Sequence, residues 1–152
     1  MAAIFEYLEH VNVLKRLPRT GWLLNGVVPC ESVADHSLGV SLLAIGLAET
    51  INEDWAAEGL NRPLDVGQIV TTAVVHDLAE GLLTDLPKRS TELLGREAKH
   101  AAEARAMAII LGAIANGDKY IRHWEDYNSA ATPEARLVRD ADKLEMVHQA
   151  LV

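Results

Sequence analysis

Four side chains able to bind a metal ion stand at three places in the chain: His36, the adjacent pair His76 and Asp77, and Asp142. Each interrupts an apolar segment of helical period. An unpartnered polar group in such a segment costs several kcal/mol, roughly 2–7, when it is buried. A fold that buries these segments must bring the four together or partner each one separately. One shared divalent cation would satisfy them all. Taken singly, each has a plainer explanation. A histidine on an apolar face is commonly a hydrogen-bonded core residue, Asp142 can pair with an arginine, and a His-Asp dipeptide recurs by chance. The ordered set carries the weight.

The period is helical from end to end, with no alternating run bounded by turn residues, which predicts an all-α fold. At 152 residues and 49% hydrophobic, the chain suits one domain, residues 1–152, a helical bundle with the metal site in its core. A first helix is expected over Ala3–Leu17, with Ile4, Leu8, Val11 and Leu14 as its apolar stripe, and residues 19–22 as a loop. Ser32 and Asp35 have the spacing of a capping box, which starts a helix at Val33 that runs to about Thr50 and puts His36 in its first turn. Asp65 caps a third helix, expected to run to about Leu83 with apolar residues nearly all round and His76 and Asp77 in its middle. Further helices are expected over 91–115 and 121–127. The last starts at Thr132-Pro133-Glu134 and carries Asp142 on an inward stripe with Val138 and Met146.

Charge and composition exclude several classes of partner. Fourteen Lys and Arg against 22 Asp and Glu give a net charge of −8, which repels nucleic-acid polymers over most of the surface. A small phosphorylated molecule is still compatible, because local cations such as Arg16, Arg19, Lys88 and Arg89 can outweigh a distant net charge. The longest apolar runs fall short of the ~20 residues that span a bilayer, so no membrane partner is expected. With a single cysteine, Cys30, and no secretory leader pattern, a reducing cytoplasm is the expected compartment.

Glu80 lies four residues after His76, the spacing of one helical turn, and is expected close to the metal without necessarily binding it. His100 and His123 are the histidines from which a second metal would have to draw ligands, and neither is assigned to metal.

The order and intervals of His36, His76-Asp77 and Asp142 resemble the HD superfamily of metal-dependent phosphohydrolases, all-helical proteins named for that dipeptide. Longer stretches are similar to the 5'-deoxynucleotidase branch. These are Leu14-Lys15-Arg16 through Arg19-Thr20-Gly21-Trp22, Glu31 through Ser37, His76 through Glu80 and Thr84-Asp85-Leu86-Pro87. Lys99-His100 with Glu103 and Met107, Trp124 through Tyr127, and Asp140 through Met146 extend the match toward the C-terminus.

The resemblance implies that His36, His76, Asp77 and Asp142 bind one divalent transition metal, Mn, Co or Fe. It implies that Glu80 and Asp85 act on the attacking water or the leaving oxygen, and that an arginine near the first loop, here Arg19, holds a 5'-phosphate. Lys88 is a further candidate for the phosphate. Trp22, fourteen residues before His36, either faces the sugar and excludes a 2'-hydroxyl or packs its loop against the core. The activity so implied is hydrolysis of (2'-deoxy)nucleoside 5'-monophosphates by a homodimer or higher homo-oligomer. Three alternatives stand beside it: a related phosphohydrolase acting on a nucleoside triphosphate, cyclic nucleotide or alarmone; a two-iron oxidase; and a regulatory metal-binding module without turnover.

Overall fold

The chain runs as α1 (Ala2–Leu14), α2 (Thr20–Leu24), α3 (Val33–Asn52), α4 (Val66–Val75), α5 (Glu80–Leu83), α6 (Lys88–Leu94), α7 (Arg96–Gly112), α8 (Gly117–Ser129) and α9 (Pro133–Gln149) in the computed structural model, which describes residues 2–151. The expected all-α class holds. Among the described residues there is no strand, only an isolated antiparallel bridge between Pro18 and Ser32. Nor is any helix there long and apolar enough to cross a membrane. Met1 and Val152, the ends of the expected 1–152 domain, lie outside the described residues.

Three helix starts form the caps their sequences encode. At α3 the Ser32 amide donates to Asp35 Oδ2 (2.9 Å) while the Asp35 amide donates to Ser32 Oγ (3.1 Å), a reciprocal capping box. At α4, Asp65 Oδ1 accepts from the Gln68 amide (3.0 Å), and at α9, Thr132 Oγ1 accepts from Ala135 (3.0 Å) with Pro133 at the first helical position.

Several boundaries differ from the sequence expectation, each for a local reason. The first helix ends at Leu14 instead of Leu17, and residues 20–22 of the expected 19–22 loop lie in α2 (Thr20–Leu24). The helix expected over 91–115 is two, α6 and α7, divided at Gly95, whose φ of 86° no helix accommodates. The 121–127 helix starts earlier, at Gly117, where a Cβ would lie 1.9 Å from the Leu111 carbonyl oxygen. α4 ends at Val75, so His76 and Asp77 lie in a turn and not mid-helix. Its apolar residues do not all find cover, since Val74 is 55% exposed.

The described residues form two compact units, 2–35 with 77–121, and 36–76 with 122–151. In the first, α5 packs on α1 and α7, and α6 on α7. Gly81 permits the α1–α5 approach, because a Cβ there would stand 2.9 Å from the His10 carbonyl oxygen. Leu14, Leu78, Ala79, Ala106, Met107, Ile110 and Leu111 are buried. The expected α1 stripe is only partly covered, with Ile4 and Leu8 exposed. Backbone bonds from Arg19 to the Glu31 carbonyl (3.0 Å) and from Val33 to the Leu17 carbonyl (2.9 Å) fold the loop after α2 back on the segment that carries Arg19.

The second unit is built on α4 against α9 with the body of α3. Val40, Ala44 and Ala48, at four-residue steps on α3, join Leu64, Ile69, Ala73, Val138 and Ala141 in one buried cluster. The connection into α4 is pinned at both ends. Asn52 Nδ2 donates to the Leu64 carbonyl (3.0 Å), and the Leu64 amide donates back to Asn52 Oδ1 (2.7 Å). Buried Glu134 accepts from both Arg62 Nη1 (2.6 Å) and the Asp65 amide (3.0 Å) through the same Oε1.

Burial alone would raise the Glu134 carboxyl pKa, but hydrogen bonds from Arg62 and the Asp65 amide outweigh it and hold the pKa below its ordinary value of 4.5. A depressed carboxyl contributes stability that is complete above its unfolded pKa and is lost as pH falls through the folded one. Glu134→Gln should therefore cost about 1–3 kcal/mol near neutrality. The deficit should shrink in urea melts as pH is lowered below about 4.5.

Candidate metal centre

The second unit brings together three of the four expected ligands. His36 in the first turn of α3, His76 just after α4 and Asp142 on α9 each present one donor atom, and the three donors lie within 4.8 Å of one another. Both imidazoles are buried. His36 Nε2 is 3.2 Å from Asp142 Oδ1, and the two imidazole rings meet edge-on with centroids 5.5 Å apart.

Each of the three is held from behind. His36 Nδ1 is 2.6 Å from Glu145 Oε2, and the Tyr127 hydroxyl donates to Asp142 Oδ2 at 2.8 Å, leaving Oδ1 as the oxygen that faces His36. His76 Nδ1 lies 2.7 Å from the Ala73 carbonyl. A carbonyl oxygen can only accept, so Nδ1 carries the proton and Nε2 is the ring's donor atom for a metal. This fixing of a ligand's far side by a carboxylate, carbonyl or hydroxyl is the usual support of a metal-binding imidazole or carboxylate. Two imidazoles and a carboxylate suit first-row divalent metals, so the residues present fit such an ion.

The His76 bond also explains the break after α4. Ala73 O is the acceptor that an unbroken helix would offer to the amide of residue 77, and the histidine ring takes it. The chain then tightens into i+3 bonds, from Glu80 to the Asp77 carbonyl (3.0 Å), Gly81 to Leu78 (3.2 Å) and Leu82 to Ala79 (3.1 Å). The helical step expected from His76 to Glu80 is therefore not made. Glu80 instead opens α5 in the first unit.

The first unit gathers the remaining expected residues around that turn. Arg19 Nη1 lies 3.3 Å from Asp77 Oδ2 and 4.0 Å from Asp85 Oδ1, and the Thr20 amide donates to Asp85 Oδ2 at 2.6 Å. Glu80 is buried, and its Oε2 has no hydrogen-bond partner. Burial first, then the like charges of Asp77 and Asp85, push its carboxyl up to about 10 against the opposing pull of Arg19 and Lys99. That direction favours the protonated form of Glu80 at neutral pH. Burial works against the charge on Lys99, but Glu103, at 3.1 Å, together with Glu80 and Asp77 holds its pKa above the usual value.

Trp22 is half-buried, with its indole N–H on Glu31 Oε1 at 2.9 Å. Lys88 stands apart from these contacts, 91% exposed on α6 and 3.9 Å from Glu92. His100 is exposed. Sequence reasoning assigned no role to Glu145, Tyr127 or Lys99. Glu145 had a signal, since it lies one helical turn beyond Asp142 on α9. Tyr127 reaches Asp142 from another helix, and its signal was its place in the Trp124–Tyr127 stretch that resembles the family.

The HD domain family model matches residues 11–152. The 5'-deoxynucleotidase HDDC2 of Danio rerio is 31% identical over 99% of this chain and 69% of its own length. That of Dictyostelium discoideum is 33% identical over 99% of this chain and 77% of its own. A solved structure, a conserved hypothetical protein from Pyrococcus furiosus, superposes with a TM-score of 0.81 at 37% identity, covering 97% of this chain and 80% of that one. The chain belongs to the HD domain family, on its 5'-deoxynucleotidase branch.

A metal that binds only the folded state raises its stability, by about 2.7 kcal/mol at a hundred times Kd. Adding Mn²⁺ or Co²⁺ to chelator-treated protein should raise Tm. The shift should vanish in His76→Ala and Asp142→Asn; a shift that survives in both would place the ion elsewhere.

Proposed function

We propose that this chain is a metal-dependent phosphomonoesterase that hydrolyses 2'-deoxynucleoside 5'-monophosphates to nucleoside and phosphate. The convergence of His36, His76 and Asp142, each braced from behind, supports the metal-dependent chemistry. The substrate class comes from the relatives, whose names specify 5'-deoxynucleotidase. Asp77, joined to His76 by one peptide bond, completes the ligand set for a single Mn, Co or Fe ion. That ion, when bound, lowers the pKa of water and neutralises charge on the phosphoryl group.

The other steps fall to side chains of the first unit. Arg19 is held between Asp77 and Asp85, and its planar guanidinium can grip two phosphate oxygens. Exposed Lys88 is a second cation for the same anion. Glu80 stands where burial and like charge make proton uptake easy, and it passes a proton between the attacking water and the leaving 5'-oxygen. Asp85, tied by the Thr20 amide to the segment that carries Arg19, acts beside it. Trp22, its ring fixed through Glu31, offers a flat apolar face against the sugar and disfavours a 2'-hydroxyl. The reading extends to a homodimer in the cytoplasm, in keeping with exposed Phe5, Leu38 and Leu42 and with a free Cys30.

A panel of deoxy- and ribonucleoside mono-, tri- and cyclic phosphates with several divalent metals should release phosphate fastest from the deoxy 5'-monophosphates. Preference for a triphosphate or cyclic nucleotide would reassign the substrate. No turnover at all would leave a regulatory module.

Glu80→Gln should keep the metal and lose turnover by on the order of 10²-fold or more. Loss of metal would move Glu80 into the ligand set. Arg19→Lys keeps the charge but not the two-pronged grip, so kcat/KM should fall. Trp22→Ala should narrow the gap between deoxy and ribo substrates with metal content unchanged.

A further inference from the structure

Gly39 lies three residues beyond His36 on α3, in the interior of a twenty-residue helix where glycine is less favourable than alanine. A Cβ at this position would stand 2.7 Å from Glu145 Oε1, 3.1 Å from its Cγ and 3.2 Å from its Cδ. The space that a side chain at 39 would take is therefore filled by the Glu145 carboxylate. Its other oxygen, Oε2, is the one 2.6 Å from His36 Nδ1. The atom that approaches closest is the end of a flexible side chain and not backbone, so the fold alone does not demand glycine here. The position of the carboxylate does.

We propose that Gly39 and Glu145 form a positioning pair: the missing side chain leaves the slot from which the Glu145 carboxylate holds the His36 imidazole toward Asp142 and sets the affinity of the metal centre. Glu145 is a positioning residue, acting on the metal only through His36. Four observations support the pair. His36 is fully buried, so bulk solvent does not reach its ring. The bond to Glu145 is short, and Asp142 faces the opposite ring nitrogen at 3.2 Å. Asp142 and Glu145 are neighbours on one face of α9, so a ring held by Glu145 through Nδ1 turns Nε2 toward the other acid. All these residues lie within the second unit. The proposal rests on the reading of His36, His76 and Asp142 as a metal site.

The experiment compares the full chain with Gly39→Ala, Glu145→Gln, the double variant and His76→Ala. Mn²⁺ and Co²⁺ affinities are measured by chelator competition, the visible spectrum of the Co²⁺ form is recorded, and metal-free melting is followed by circular dichroism. Gly39→Ala and Glu145→Gln should each weaken metal binding by roughly 10–100-fold and change the Co²⁺ spectrum in the same direction. The double variant should be about as weak as the weaker single, because both act through one hydrogen bond. Metal-free Gly39→Ala should still unfold in one cooperative transition, with a melting temperature no lower than that of Glu145→Gln, since the better helix propensity of alanine offsets part of the lost His36 bond. Parent-like affinity in either single variant, additive losses in the double, or a metal-free melting temperature of Gly39→Ala well below that of Glu145→Gln would each overturn the pair. His76→Ala separates the two levels. Parent-like metal binding in that variant overturns the site itself. Its loss there, with the Gly39 and Glu145 variants unchanged, overturns only the positioning pair.

Discussion

Two imidazoles and a carboxylate held among aliphatic side chains are the constraint on which the second unit depends. Groups of this kind are tolerated in a core only when every donor and acceptor has a partner. The unit supplies a partner on the far side of each group from a different element: Glu145 on α9 for His36, the Ala73 carbonyl of α4 for His76, and the Tyr127 hydroxyl of α8 for Asp142. The small side chains at Ala44, Ala48, Ala73 and Ala141 belong to the same buried cluster and leave the helices near enough for these short bonds. Packing and ligand geometry are thus one problem with one solution.

The bond from His76 to Ala73 has a consequence beyond the ring that it fixes. By taking a helical acceptor it ends α4 and turns the chain at residues 76–79. Asp77 and Glu80 therefore leave the helix axis and enter the first unit, where Arg19, Asp85 and Lys99 set their electrostatics. An unbroken helix would have kept Glu80 stacked over His76. His76 stays with the second unit and Asp77 with the first, on either side of a single peptide bond.

In the first unit the balance of charge matters more than any one contact. Asp77, Glu80 and Asp85 gather three carboxyls around one arginine and one lysine, and burial with the neighbouring like charges pushes the pKa of Glu80 up to about 10. Such an arrangement is costly for stability, and it is the kind of perturbation found where proton transfer is required. The Arg62–Glu134 pair shows the contrast. There a buried carboxylate is fully charged, because an arginine and a backbone amide both point at the same oxygen, and the result is structural.

Local sequence was enough for the all-helical class, the caps at Ser32, Asp65 and Thr132, and the candidacy of His36, His76 and Asp142, because caps and amphipathic period act within one turn of helix. It was not enough where a distant group competes with the local pattern. The 66–83 segment reads as one apolar helix, and only the folded geometry shows a side chain taking over its hydrogen bonding at Ala73. Gly39 reads as a mild helix defect until Glu145, more than a hundred residues on, is seen in the space it leaves. Residue types and spacing determined which chemistry was available to this chain. Tertiary structure decided which partner braces each candidate ligand and which carboxyl has its pKa raised, because burial, charge proximity and hydrogen-bond direction depend on neighbours that sequence distance does not specify.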